Sequence, residues 1–312
     1  MTLDTLSRSI HGLRSLLWAA CLAFALPGHA ATNAGRAFPT PDAAAEALVN
    51  SVKAADVKAV VGILGADSRQ WILTGDGPTD RREWGNFVAA YDAQHTIRKD
   101  DEKRATLVVG KDQYPFSFPI VLTQGGWRFD SAKGKEELID RRVGMNELST
   151  IEVLRAIVDA QREYALMNRG DNLRGYATRF ASTPGKRDGL YWPAEQGQAQ
   201  SPLGPLVADA QAEGYTARHQ GQPYHGYRFR MLSGQGPNAI GGAEKYATGN
   251  DVGGFAVIAY PAQYGVSGVK TFMVNQEGIV LERDLGASTA SIANRTTVFN
   301  PEPGWMPVID RR

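Results

Sequence analysis

The run Phe255-Ala256-Val257-Ile258-Ala259-Tyr260 carries no charge. It is followed by Lys270-Thr271-Phe272-Met273-Val274, by Asn275-Gln276-Glu277-Gly278 and by Ile279-Val280-Leu281-Glu282. Short segments rich in β-branched and aromatic residues, two of them separated by a polar tetrad ending in glycine, predict three strands with a hairpin between the last two. Upstream, Tyr227-Arg228-Phe229-Arg230-Met231 alternates apolar and charged residues and predicts a fourth strand. The expected product is an antiparallel meander.

Such a sheet needs cover. Residues 145–169 predict a long helix in which Ile151, Leu154, Val158 and Ala165 form one stripe, flanked by Val153, Ile157 and Tyr164. Asp159, Gln161, Arg162 and Glu163 fall mainly off that stripe, and a stripe this wide packs on a sheet. Ser149-x-x-Glu152 fits a capping box in its first turn. Residues 170–201 are then rich in Gly, Pro, Ser and polar residues, an excursion too long to be mere connection. Residues 202–213 predict a short helix, and the chain from Ala287 onward reads as a Pro- and Asn-containing tail.

The earlier part has a different plan. Pro39-Thr40-Pro41-Asp42 starts a helix whose inner face is Ala45, Leu48, Val49 and Val52. A second begins at Asp56, with Val57, Val60, Val61 and Leu64 inward and Gly65 as the stop. A third covers 80–95, with Trp84, Phe87, Val88 and Tyr91 at helical spacing. The period then changes. Residues 104–110 and 116–122 predict strands, with Pro119 marking an edge or bulge. Gly125-Gly126 is a turn, Trp127-Arg128-Phe129 starts another strand, and a charged helix follows near 134–142. Arg98–Arg104, RKDDEKR, reads as a solvated turn. The fold class expected is α+β: a helix-backed antiparallel sheet over 31–143, then a long helix on a meander over 144–312.

Residues 1–30 are expected to be an export signal. Arg8 and Arg14 precede the apolar run 15–26, and Gly28-His29-Ala30 offers small residues before a cut after Ala30. Removal would take with it Cys21, the only cysteine, so no disulfide or thiolate chemistry is expected. The chain has 312 residues, 43% hydrophobic, with 34 basic and 33 acidic side chains. Without Arg8, Arg14 and Asp4 the balance is 32 to 32, which argues against a protein built for nucleic acid or anionic lipid. The expected location is periplasmic or secreted, with no transmembrane segment in the mature chain.

Three resemblances bear on this plan. The order of elements in 31–143 resembles the cystatin-like or nuclear-transport-factor-like cone fold. The second half, through Gly226-Tyr227-Arg228-Phe229, Phe255–Pro261 and Gly268–Val280, resembles the globular domain of type IV pilins and type II secretion pseudopilins. It departs from them in having no continuous apolar half-helix ahead of Met145-Asn146-Glu147. The chain as a whole resembles a family of exported bacterial proteins known as domain of unknown function 2950 (DUF2950). The strings that carry this are Phe38-Pro39-Thr40-Pro41-Asp42-Ala43, Gly134-Lys135-Glu136-Glu137, Asp159–Tyr164, Ser182–Pro193, Tyr224-His225-Gly226-Tyr227 and the 254–280 run. That resemblance implies no activity.

No catalytic motif stands out. The mature chain has three histidines, His95, His219 and His225, without His-Glu-x-x-His or a Cys pair, so neither a metal nor a cofactor is expected. Asn250-Asp251 offers too few oxygens for calcium. Gly265-Val266-Ser267-Gly268 reads as a turn before a strand. The first candidate site is Lys186-Arg187-Asp188-Gly189-Leu190-Tyr191-Trp192-Pro193. It is either a recognition surface, since Arg187, Asp188, Tyr191 and Trp192 combine apolar area with directed charge, or a turn pinned by its aromatics. The second is Pro223-Tyr224-His225-Gly226-Tyr227, in which Tyr224 and His225 are binding candidates. Trp71, Trp84 and Tyr91 are either core or the lining of a cone cavity. The expected function is recognition of a protein or glycan partner in the cell envelope. The alternatives are a hydrolase or small-molecule binder using the first cavity or the Arg187/Asp188/His225 group, and an accessory factor of pili or secretion filaments.

Overall fold

A computed structural model describes residues 34–167, 174–194, 197–216 and 222–309. The expected signal, residues 1–30, lies outside these residues, as do His219 and parts of the 170–201 excursion.

Helix α1 (Pro41–Lys53) starts where Thr40 Oγ1 accepts the Ala43 N–H at 3.1 Å, and it buries Ala44, Ala45, Leu48 and Val49. Helix α2 (Val57–Leu64) is capped by Asp56 and stops at Gly65, whose φ of 102° no β-carbon-bearing residue adopts easily. The short α3 (Arg69–Ile72) seats Trp71 and Ile72 in the core. Helix α4 (Gly77–Ala93) begins at Asp76. These helices back an antiparallel sheet of His95–Lys99, Arg104–Val109, Ile120–Thr123 and Gly126–Phe129, paired in that order. The first of these strands falls across the end of the expected third helix and the start of the charged turn: only Ile97 of His95–Lys99 is half-buried, so no apolar period marks it. The expected 116–122 strand is shorter and starts after Pro119. That residue lacks a ladder N–H and instead offers its carbonyl to the Asp130 N–H at 2.8 Å.

The two helices expected at 134–142 and 145–169 are one. Helix α5 (Ser131–Leu166) runs through Val143 and Gly144 without a break and is about 54 Å long. Its capping residue is Asp130, not Ser149. The amino-terminal half packs Leu138 and Ile139 on the first core, and Gly134 lets the Phe118 ring sit against the helix, where a Cβ would lie 2.0 Å from the ring. The carboxy-terminal half buries Ile151, Leu154, Ile157, Val158 and Tyr164 in the second core.

That core is covered by the antiparallel meander Tyr227–Leu232, Ala256–Pro261, Lys270–Asn275 and Leu281–Asp284, in sequence order. The last strand begins two residues later than the hairpin pattern suggests. All six residues of Ala256–Pro261 are buried because both faces are covered. Val257 and Ala259 face α5, while Ala256, Ile258 and Tyr260 join a third cluster with Ala293 and Phe299. The segment after Ala287 is therefore not a tail. It contains α7 (Thr289–Arg295), and Met306–Pro307 adds an edge to the meander. The short α6 (Gly204–Ala212) forms as expected.

Candidate functional site

Asp76 is the hub of a polar junction between the two cores. Its side chain caps α4 by accepting the Thr79 N–H at 3.2 Å. The same carboxylate, in a residue 1% exposed, also accepts from the Tyr215 hydroxyl at 2.9 Å and from the Gly226 N–H at 2.8 Å. The Tyr215 oxygen in turn accepts the His225 N–H at 3.2 Å and lies 2.9 Å from Thr79 Oγ1. Burial, with the Asp76 charge behind it, raises the Tyr215 pKa against the opposing pull of the Thr79 and His225 hydrogen bonds.

The chain reaches Asp76 through a two-residue turn. Tyr224 and Tyr227 exchange backbone bonds at 2.7 and 3.0 Å, with His225 at φ 50° and Gly226 at φ 75°. This is the primed geometry that a tight hairpin needs. A Cβ on Gly226 would lie 2.4 Å from Asn146 Nδ2, so only glycine fits there. His225 has a side chain in the left-handed region, a conformation that costs about 1 kcal/mol and persists only where surroundings fix it. Its Nε2 lies 2.8 Å from Glu213 Oε2, out of line for a ring N–H bond, so the contact is one of proximity. Glu213 also holds Arg82 of α4 at 2.5 Å. Ser267 is buried and donates its hydroxyl to the Gly226 carbonyl at 2.9 Å, as a turn residue.

Two clefts open beside this turn. One, of about 260 Å³, is lined by Phe180, Tyr191, Leu203, Leu206, Tyr215 and Tyr224. The other, of about 480 Å³, is lined by Ser149, Glu152, Asp209, Glu213, Tyr224 and His225. Leu206 and Tyr224 belong to both, so an apolar cleft adjoins an acidic one. The Tyr224 hydroxyl is pushed up to about 12 by burial and then by the charges of Glu213 and Asp209.

The six nominated residues are thus divided. Tyr191 and Tyr224 come together in the apolar cleft. Arg187, Asp188 and Trp192 stay with their own loop. Trp192 is 5% exposed and part of the second core. The Arg187 guanidinium sits 5.5 Å from the Trp192 ring centre, and its carbonyl accepts from the Tyr164 hydroxyl at 2.8 Å. Burial alone would raise the Asp188 pKa. The Thr183 N–H at 2.7 Å and hydroxyl at 2.8 Å outweigh it, aided by Arg179, and hold it below the usual carboxylate value. The group Arg187/Asp188/His225 does not converge, because the cleft that His225 lines contains neither of the other two. In the first region Trp71 stacks on Phe118 in the core and borders a cleft with Gly65 and Arg128, Tyr91 stacks on His95, and Trp84 lines a second cleft with Val52 and Val88.

Sequence alone does not single out Asp76, Thr79, Glu213 or Tyr215. Asp76-Gly77-Pro78-Thr79 is readable as a helix cap, but nothing local shows that the cap reaches residues 139 and 150 positions away.

The architecture and site define an α+β protein with a cleft at the junction of two cores. Among the described residues no group of His, Cys, Asp or Glu is arranged to hold a metal, and no helix is long and apolar enough to cross a membrane. The chain belongs to the DUF2950 family of proteins of unknown function, whose family model matches residues 35–308 and so spans both cores. Comparison with curated proteins gives no match.

Proposed function

We propose that this is a non-catalytic recognition protein of the cell envelope, and that its partner is a protein segment seated in the paired clefts beside α6. The carrying observation is that Tyr191 and Tyr224, from two separate loops, line one apolar cleft that adjoins the carboxylates of Glu152, Asp209 and Glu213. Partly exposed tyrosines over an apolar floor are the usual anchors of an interface. Acidic side chains beside them favour a segment that presents a large apolar residue followed by a basic one. The envelope location rests on the Arg8/Arg14, 15–26 and Ala30 pattern of the export signal. We further read the helix-backed sheet as cone-like and the helix-plus-meander as pilin-like. The continuity of α5 with the first core speaks against filament assembly through a free amino-terminal half-helix.

The test is affinity capture from periplasmic extract with the mature chain beside Tyr191→Ala and Tyr224→Ala variants. A partner held by the parent, lost by both variants and released by raised salt supports this reading. A partner held equally by all three overturns the site, and hydrolysis of a substrate by the parent overturns the non-catalytic assignment.

A further inference from the structure

The first region contains a cavity that the junction does not use. Leu48, Val60, Phe87, Phe118 and Leu138 line a space of about 100 Å³. Its only charged lining is Glu83 and Arg142, and these satisfy each other. Arg142 donates to Glu83 through Nη2 at 2.6 Å and Nε at 3.2 Å, and through Nη1 to the Trp71 carbonyl at 2.7 Å. The remaining walls are apolar. An apolar cavity of about 150 Å³ stays dry and takes up benzene in another protein, so a space of this order suits hydrocarbon better than water.

Val52 and Trp84 line this cavity and also an outer cleft of about 600 Å³. The outer cleft continues the apolar lining with Val57, Leu73 and Val88. Val52, Leu73, Trp84 and Val88 are only partly buried, so one side of α4 and the ends of α1 and α2 present apolar surface to solvent. The charges at the rim are Lys53, Asp80 and Arg81. Lys53 is paired with Asp92 at 2.6 Å. Asp80 is occupied by the Thr74 N–H and hydroxyl. Arg81 is exposed and has no ion-pair partner among the described residues. The rim therefore offers one uncommitted positive charge beside an apolar cleft that shares Val52 and Trp84 with the inner cavity.

We propose that the first region binds a single-chain amphiphile, with an unbranched aliphatic tail running past Val52 and Trp84 into the inner cavity and an anionic head at Arg81. A linear chain is slim enough to occupy the small inner space and the outer cleft together. The site is separate from the junction clefts and does not depend on their having a partner.

The test titrates the mature chain calorimetrically with octanoate, decanoate and dodecanoate, and with 1-decanol as a neutral head-group control. Affinity is expected to rise about fourfold per added methylene until the passage is filled. Val52→Trp, which blocks the passage, is expected to weaken decanoate binding more than tenfold with the melting temperature retained. Arg81→Ala is expected to weaken decanoate several-fold and leave 1-decanol unchanged. Should Val52→Trp fail to fold, Val88→Trp narrows the outer cleft from the other side and is read the same way. Absence of saturable dodecanoate binding, affinity independent of chain length, or undiminished binding by the blocking variant overturns the proposal. Equal loss of carboxylate and alcohol in Arg81→Ala overturns the head-group assignment. Binding lost in Tyr191→Ala instead places the amphiphile in the junction and overturns this site.

Discussion

The loops 182–192 and 223–227 look alike in sequence, each mixing aromatics with a titratable residue, yet they are held in different ways. In the first, the polar contacts of Asp188 are made five residues away, to Thr183, and the Ser182 hydroxyl closes on Gly189 seven residues away. Of its aromatics, Trp192 packs into the core and Tyr191 lines the apolar cleft. In the second, Gly226 is held by Asp76 from 150 residues away, and Ser267 reaches the Gly226 carbonyl across 41. Of its aromatics, Tyr227 is fully buried and Tyr224 stays at the border of two clefts. Each loop therefore seats one aromatic in the core and leaves the other at a cleft. They differ in how far away the partners lie that hold their polar groups.

The largest test of this contrast is Trp192→Ala. If Trp192 is an anchor, its removal leaves a cavity and costs about 3–5 kcal/mol, read as the shift in urea midpoint at constant slope. A loss below about 1 kcal/mol would return Trp192 to the surface and break the comparison. Next comes the pair Asp76→Ala and Asp188→Ala. Removing Asp76 strands the Tyr215 hydroxyl, the Thr79 N–H and the Gly226 N–H in a buried place, so about 3 kcal/mol is expected. Removing Asp188 frees only partly accessible donors, and about 1 kcal/mol is expected. Equal losses in parallel urea denaturations would mean that the reach of a contact does not decide its weight here.

Much of the fold was legible because its signals are local. Thr40, Asp56 and Gly65 act as caps and stops within a few residues of themselves, and 255–282 carries β-branched and aromatic runs with a glycine turn between the last two. The break at Val143–Gly144 was wrongly expected because a glycine and a Ser149-x-x-Glu152 box imitate a helix start. Packing of Leu138 on one core and Ile151 on the other carries the helix through. The strand at His95–Lys99 was hidden because charged residues on an exposed edge carry no hydrophobic period. The α7 segment was missed because its apolar side is small, and its place is set by the outer face of Ala256–Pro261. Of the site, Tyr191, Tyr224 and His225 were visible as unusual residues. Asp76, Glu213 and Tyr215 were not, since their meaning lies in partners more than a hundred positions distant.

Smaller in effect is His225→Asn. Asparagine tolerates the left-handed region better than other residues with a side chain, so the turn should hold and stability should change by less than about 1 kcal/mol. The variant removes the imidazole from Glu213 while leaving the His225 backbone bond to Tyr215 in place. A loss of several kcal/mol in the same denaturation would show that the imidazole itself, and not the turn, ties the junction together.

The smallest expected effect bears on the acidic half of the proposed docking site. The Tyr224 hydroxyl is pushed up to about 12 in the folded chain, against about 10 for an unperturbed tyrosine. A raised pKa means that the stability gained from the neutral hydroxyl is complete below pH 10 and is lost as pH rises through the folded value. Absorbance at the phenolate band, compared between the parent and Tyr224→Phe, isolates this one group from the other tyrosines that titrate late. Burial is the larger cause and is insensitive to salt. The charges of Glu213 and Asp209 are the next, and at about 1 M salt the screening length falls to about 3 Å. Salt should therefore lower the Tyr224 value part of the way toward 10 and no further. A value unmoved by salt would mean that the carboxylates exert no field at the cleft. The cleft beside Tyr224 would then offer apolar packing alone, and a basic residue in the partner would lose its reason.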